Sequence, residues 1–151
     1  MARFQYSLQS ILNIILKMEN QAKQEFSAAK NALDTEEEKL IRLKNRKQLY
    51  EQEAVRLLSG ILNVQEIEDN KTAILRMEEY IAEQILRVEK ARKDLEAARE
   101  YLTEIMKERK THETLKEKAF ESFVQEENKR ESKEVDELTS YTYGQKQQVS
   151  E

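Results

Sequence analysis

The sequence has no proline, no cysteine and no tryptophan, and its only glycines are Gly60 and Gly144. Without cysteine there are neither disulfides nor thiolate chemistry. Without proline, and with glycine at two places, almost every signal that ends a helix or turns a chain is missing, so a compact fold built on many turns is excluded. One histidine, His112, is present. A helical di-iron bundle needs two Glu-x-x-His motifs, and Arg109 stands where the acid of such a motif belongs. No Gly-x-x-x-x-Gly-Lys phosphate loop occurs. No apolar run approaches the ~20 residues of a membrane span. The opening MARFQYSLQSILNIIL has one Arg, a short apolar stretch and no small-residue cleavage site, so it is taken as mature sequence and the chain as cytoplasmic.

What fills the 151 residues is charge and spaced apolar side chains: 37% charged, 38% hydrophobic and 7% aromatic, with a mean hydropathy of −0.86. That balance fits long helices with a narrow apolar seam, and regular apolar spacing separates it from a disordered chain. The net charge is −4. Acids and bases are interleaved, as on a solvated helix surface, and no basic patch suits nucleic acid.

The apolar spacing has the alternation of three and four residues that marks a coiled coil. Phe4, Leu8, Ile11, Ile15, Met18 and Ala22 keep it, and two steps of four at Ala22–Phe26 introduce a stutter. A new frame runs from Phe26 to Ile61, with Glu36 and Lys47 in seam positions. Ile74, Met77, Ile81, Gln84, Val88, Ala91, Leu95, Ala98, Leu102 and Ile105 resume it, until Arg109 and His112 fall where apolar residues belong. Between these stretches lies LLSGILNVQE. Gly60 alone would cost a helix only ~1 kcal/mol. Asn63 followed by Glu66 has the pattern of a helix N-cap with its acid, and Glu66, Glu68 and Asp69 suit the positive end of a helix dipole. The expected fold is therefore all-α. Two long helices form an antiparallel coiled-coil hairpin in a single domain over 1–151, with helix 1 about 3–59 and a turn about 59–63. A longer helix 2 covers about 64–139, and a frayed, flexible tail 140–151. Residues 1–62 carry a net +2 and the remainder −6. A hairpin centred near residue 62 sets Phe4 opposite Phe120 and leaves everything after about 123 as a charged overhang.

No catalytic, cofactor or metal site is expected, and the chain is not expected to be an enzyme. His112 is read as a seam residue at a frame shift. Glu36, Glu37 and Glu38 point three ways around a helix and cannot converge on one ion. Tyr80 lies beside seam residue Ile81 and is expected to face outward or sideways. With Leu43, Tyr50 and Met77 it suggests a partly exposed apolar strip near the turn, where aromatic side chains often anchor partners.

Both ends of the chain resemble the flagellar export protein family FliJ. At the start, the pattern is FQYSLQSIL followed by KMENQA, with Phe4, Leu8, Leu12, Glu19 and Ala22; near the end it is KRESKEVDELTSYTYG, with Asp136, Glu137 and Leu138. The resemblance implies a soluble component of the type III export apparatus, a stalk-like coiled coil without cofactor. It implies docking in the hexameric ring of the export ATPase, reach to the cytoplasmic domain of the membrane export gate, and escort of export chaperones, with no nucleic acid and no insertion in the membrane. It places the gate-contacting residues at Leu43, Arg46, Tyr50, Met77, Tyr80 and Gln84. The end held by the ATPase ring would comprise Phe4, Leu8, Arg130, Asp136, Glu137 and Leu138. Rival readings are the corresponding stalk protein of a virulence secretion system, a rotary ATPase stalk subunit, and a coiled-coil adaptor or holding chaperone. Whether one hairpin or a pair of hairpins forms the working unit is left open by the charged residues in the seam.

Overall fold

A computed structural model describes residues 2–149. It contains two α-helices, α1 (Gln9–Leu57, 49 residues) and α2 (Val64–Val149, 86 residues), and no strand among the described residues. The two helices pack against each other as an antiparallel coiled-coil hairpin, as the seam spacing requires. Their surfaces carry ion pairs one turn apart, such as Glu38–Arg42 at 3.5 Å and Glu89–Lys93 at 3.8 Å. Such pairs add a few tenths of a kcal/mol each to a helix that packs along one face only. By contact density the chain divides into two units. Unit 1 joins the residues up to Glu19 with those from Ile105 onward, and unit 2 spans Asn20–Glu104.

Unit 2 contains the turn. α1 ends in tightened bonds, Leu58 N–H to Val55 O (3.3 Å) and Ser59 N–H to Arg56 O (3.1 Å), with the Ser59 hydroxyl donating to the same Arg56 oxygen at 2.7 Å. These satisfy carbonyls that would otherwise be orphaned at a helix end. Gly60 then takes φ +90°, a conformation that L side chains resist. Asn63 caps α2: its Oδ1 accepts from the N–H of Gln65 (3.1 Å) and of Glu66 (3.3 Å). Further along, Ala22 of α1 and Met77, Val88 and Ala91 of α2 are buried.

In unit 1, Leu12 and Ile15 of α1 and Ile105 of α2 are buried. Here the chain departs from expectation at both ends. α1 begins at Gln9 rather than near residue 3. Phe4 lies ahead of the helix, where its ring meets Phe120 edge-on (centroids 5.2 Å, 76°) and Phe123 at a tilt (5.4 Å, 52°). The pairing of Phe4 with Phe120 is thus present, carried on one side by a residue ahead of α1. At the other end α2 continues to Val149 instead of fraying from 140. Local bonds sustain it: Thr142 Oγ1 donates to Leu138 O at 2.9 Å, and Gln145 Nε2 to the Tyr141 hydroxyl at 2.7 Å. Gly144 weakens a helix by only ~1 kcal/mol and no proline stops it. Every residue from 128 to 148 is exposed.

Two substitutions test the turn. Gly60→Ala meets open space but a positive φ, so strain alone is expected to cost about 1 kcal/mol. Asn63→Ala is expected to cost about 1 kcal/mol through the lost cap. Each reads as a lower urea midpoint at unchanged slope.

Candidate interaction surfaces

The seam holds polar residues that bury only because the opposite helix supplies partners. In unit 2, Gln84 is 4% exposed, and its Nε2 donates to the Glu36 backbone oxygen at 2.9 Å and to the Glu36 carboxylate. That hydrogen bond holds the Glu36 carboxyl below the usual carboxylate range against the opposing effect of desolvation, with Lys39 adding to it. Asn70, also buried, donates from Nδ2 to Tyr50 O at 3.0 Å. Around these lie the Lys47–Glu78 and Arg92–Glu37 pairs, both at 3.5 Å, and the Arg99 guanidinium 5.9 Å over the Phe26 ring. The two seam charges foreseen from spacing, Glu36 and Lys47, are therefore both engaged across the hairpin. A buried amide has one good position against the facing backbone, so Asn70 and Gln84 fix the register that greasy side chains alone would leave loose.

All six residues assigned to a gate-contacting strip lie in unit 2, but they do not share one exposed face. Arg46 and Tyr80 are exposed, Leu43 and Tyr50 half-buried, and Met77 and Gln84 buried. Met77 and Gln84 are seven residues apart and occupy equivalent places facing α1. The partly exposed strip of Leu43, Tyr50, Met77 and Tyr80 is corrected accordingly, with Met77 belonging to the core. Tyr80 faces outward as its neighbourhood to Ile81 implied.

Unit 1 carries the other six. Phe4 is half-buried in its aromatic cluster, and Leu8 is exposed. Arg130, Asp136, Glu137 and Leu138 are exposed along the single-helix stretch of α2, where Arg130 pairs with Glu127 at 2.9 Å. An open groove of about 520 Å³ is lined by Phe4, Leu12, Leu16 and Phe120, with Glu113 and Lys116 beside them. Ile11 and Ile14 are also exposed. The a/d spacing had put Leu8 and Ile11 in the seam; Leu12 takes the buried place beside Ile15 instead, because ILNIIL holds more apolar residues than a seam can bury.

Unit 1 also shows why Arg109 interrupts the seam. Its Nε lies 2.6 Å from Glu19 Oε2, and its Nη1 donates to Glu113 Oε2 at 2.9 Å. The Glu113 bond chiefly, against desolvation and with Glu19 helping, raises the Arg109 pKa further. Glu19 itself is 4% exposed. Sequence spacing flagged Arg109 but not its partner across the hairpin; the Phe4–Phe120 register sets Arg109 level with Ile15, one helical turn from Glu19. His112 is half-buried, with a buried Nδ1 that lacks a hydrogen-bond partner. Among the described residues no group of three or more His, Cys, Asp or Glu is placed to hold a metal ion, and no helix is long and apolar enough to cross a membrane.

Comparison with known proteins gives a family and a fold. The family model described as flagellar FliJ protein matches residues 4–148. No curated protein matches. Among solved structures, a proposed YscO homologue from Chlamydia trachomatis superposes with a TM-score of 0.67 at 22% identity, covering 97% of this chain and 99% of that one. At that identity the likeness is one of fold.

The seam charges yield two expectations. A carboxyl whose folded pKa is depressed contributes stability that is present above its ordinary value of 4.5 and is lost as the pH falls through the lowered folded value. Glu36→Gln should therefore flatten the pH dependence of the melting temperature below about pH 4.5, with the largest difference from the parent chain at neutral pH. Arg109→Ala takes the guanidinium away from a buried carboxylate, whereas Arg92→Ala disturbs an exposed pair. The first should lower the melting temperature clearly more than the second.

Proposed function

The chain belongs to the flagellar FliJ family, and from that premise we propose that it is the stalk-like soluble component of a flagellar type III export apparatus. The single observation that carries this reading is the family match over nearly the whole chain. In the proposed arrangement the polar end of α2, with Arg130, Asp136, Glu137 and Leu138, together with Phe4 and Leu8, engages the export ATPase ring. Exposed Arg46 and Tyr80, supported by Leu43 and Tyr50, engage the cytoplasmic domain of the export gate. Met77 and Gln84 act from inside, by holding the helix that presents Tyr80. The protein would stay at the inner face of the membrane through those partners, and would escort export chaperones to them.

The physical properties suit that role. Polar seam contacts fix one register, so a load on one helix is passed to the other without slippage. The charged surface gives a rotating or tilting ring no deep apolar contact on which to stick. The hexameric partner hydrolyses ATP; the stalk biases its subunits and relays to the gate.

Binding and turnover measurements on purified components test both contacts. Tyr80→Ala with Arg46→Glu should weaken binding to the gate domain by about tenfold, the loss expected for removing an aromatic anchor and its neighbouring charge. Stimulation of the ATPase should be unchanged in that variant. Arg130→Glu with Leu138→Glu should remove stimulation and leave gate binding intact. Unchanged gate binding in the first variant, or unchanged stimulation in the second, would show the corresponding surface to be wrongly placed.

A further inference from the structure

The loop between the helices is apolar where loops are ordinarily polar. Ile61 is fully exposed, and Leu58, Leu62 and Val64 are exposed by 66%, 58% and 72%. An open groove of about 230 Å³ continues from them along unit 2, lined by Leu57, Leu58, Ile67, Ile74 and Leu75. Turn geometry requires Gly60 and Asn63 but none of these apolar residues. A polar side chain would serve at Ile61 at no cost to folding, because it is packed on nothing, and Leu62 is more exposed than covered. A contiguous exposed apolar patch of this kind marks a place where something else binds.

Charge and shape narrow what that something is. From Leu57 to Asn70 the chain has three acids, Glu66, Glu68 and Asp69, and no base; all three are exposed, and the first base after them, Lys71, lies along the groove. The nearest base on α1, Arg56, is already bonded by Glu53 through two nitrogens. The helix dipole accounts for an acid in the first turn, at Glu66; Glu68 and Asp69 extend the negative collar beyond it. An anionic lipid surface would be repelled by such a collar, since peripheral membrane contacts rely on Lys and Arg. A second copy of this tip would bring collar against collar, and two small convex tips cannot bury the roughly 800 Å² per partner of a stable interface. A concave partner enclosing the loop and reaching the groove beside it can.

We infer that the loop Leu58–Val64 is an insertion tip that enters an apolar socket, rimmed by Lys and Arg, on another protein. Ile61 and Leu62 fill the socket; Glu66, Glu68 and Asp69 meet its basic rim. None of these residues belongs to the surfaces assigned above to the export gate or the ATPase, so the inference stands or falls separately from that assignment.

A benzophenone amino acid placed at Ile61 in the full chain, expressed in its own cell and irradiated, tests it. Exposed Glu100 serves as the control position. The expected result is one dominant protein adduct whose mapped site is apolar with Lys or Arg next to it. With that protein purified, Ile61→Glu with Leu62→Glu should raise Kd by at least about 30-fold, as for a buried anchor. Glu68→Lys with Asp69→Lys should weaken binding mainly through a slower, less salt-sensitive association. All these side chains are exposed, so each variant should melt as the parent does. An adduct confined to lipid or to a second copy of this chain, one mapped to an acidic or purely polar surface, or a yield no higher than at Glu100 would overturn the inference.

Discussion

Every part of this hairpin depends on keeping a narrow seam dry between two helices that are otherwise covered in charge. The buried apolar side chains are few: Leu12, Ile15 and Ala22 from one helix and Met77, Val88, Ala91 and Ile105 from the other. Such a thin core leaves little margin for a polar atom without a partner, because an unsatisfied buried group costs about 1–3 kcal/mol. The buried polar residues Glu19, Asn70 and Gln84 each face something across the hairpin: a guanidinium, a carbonyl, or a carbonyl and carboxylate together. The residues that look like flaws in the heptad pattern are the ones that choose between registers.

Much of this was legible in the sequence. Alternating threes and fours gave most of the seam but not its ends on the first arm, where Leu8, Ile11 and Ile61 are exposed and Leu12 and Glu19 are buried instead; Gly60 with Asn63 gave the reversal and the cap. Level-counting from that reversal put Phe4 beside Phe120. What escaped was of two kinds. Spacing marks which residues face inward but not which polar residue meets which, so Arg109 read as an interruption instead of one half of a pair with Glu19. The ends escaped because they are governed by small local effects. Phe4 serves the seam from outside the helix, and the last ten helical residues persist on side-chain bonds one turn apart, with no packing to predict them from.

The assigned interaction residues divide along the same line. Tyr80 was placed outward or sideways by its position next to Ile81, a physical argument, and it is exposed. Met77 was grouped with Tyr80 for its place near the turn, and Gln84 entered the strip through family likeness, although spacing already put both in the seam, and the seam is where they are. For Gln84, likeness and periodicity disagreed about the side chain's direction, and periodicity prevailed. Buried members of such a strip can still matter to a partner, by holding the backbone that presents their exposed neighbours.

The cross-helix contacts of unit 2 grow more distant in sequence in orderly steps: Tyr50 with Asn70 is a separation of 20, Glu36 with Gln84 of 48, and Glu37 with Arg92 of 55. Closing a loop of 55 residues from an open chain is costly, but each contact here brings the next within a short reach, so the closure entropy is met in small instalments. Assembly can then proceed as a zipper from Gly60 outward. During synthesis, the first helix would begin to find its partner as soon as the residues just past the turn leave the ribosome, and its apolar edge would be covered progressively from that end.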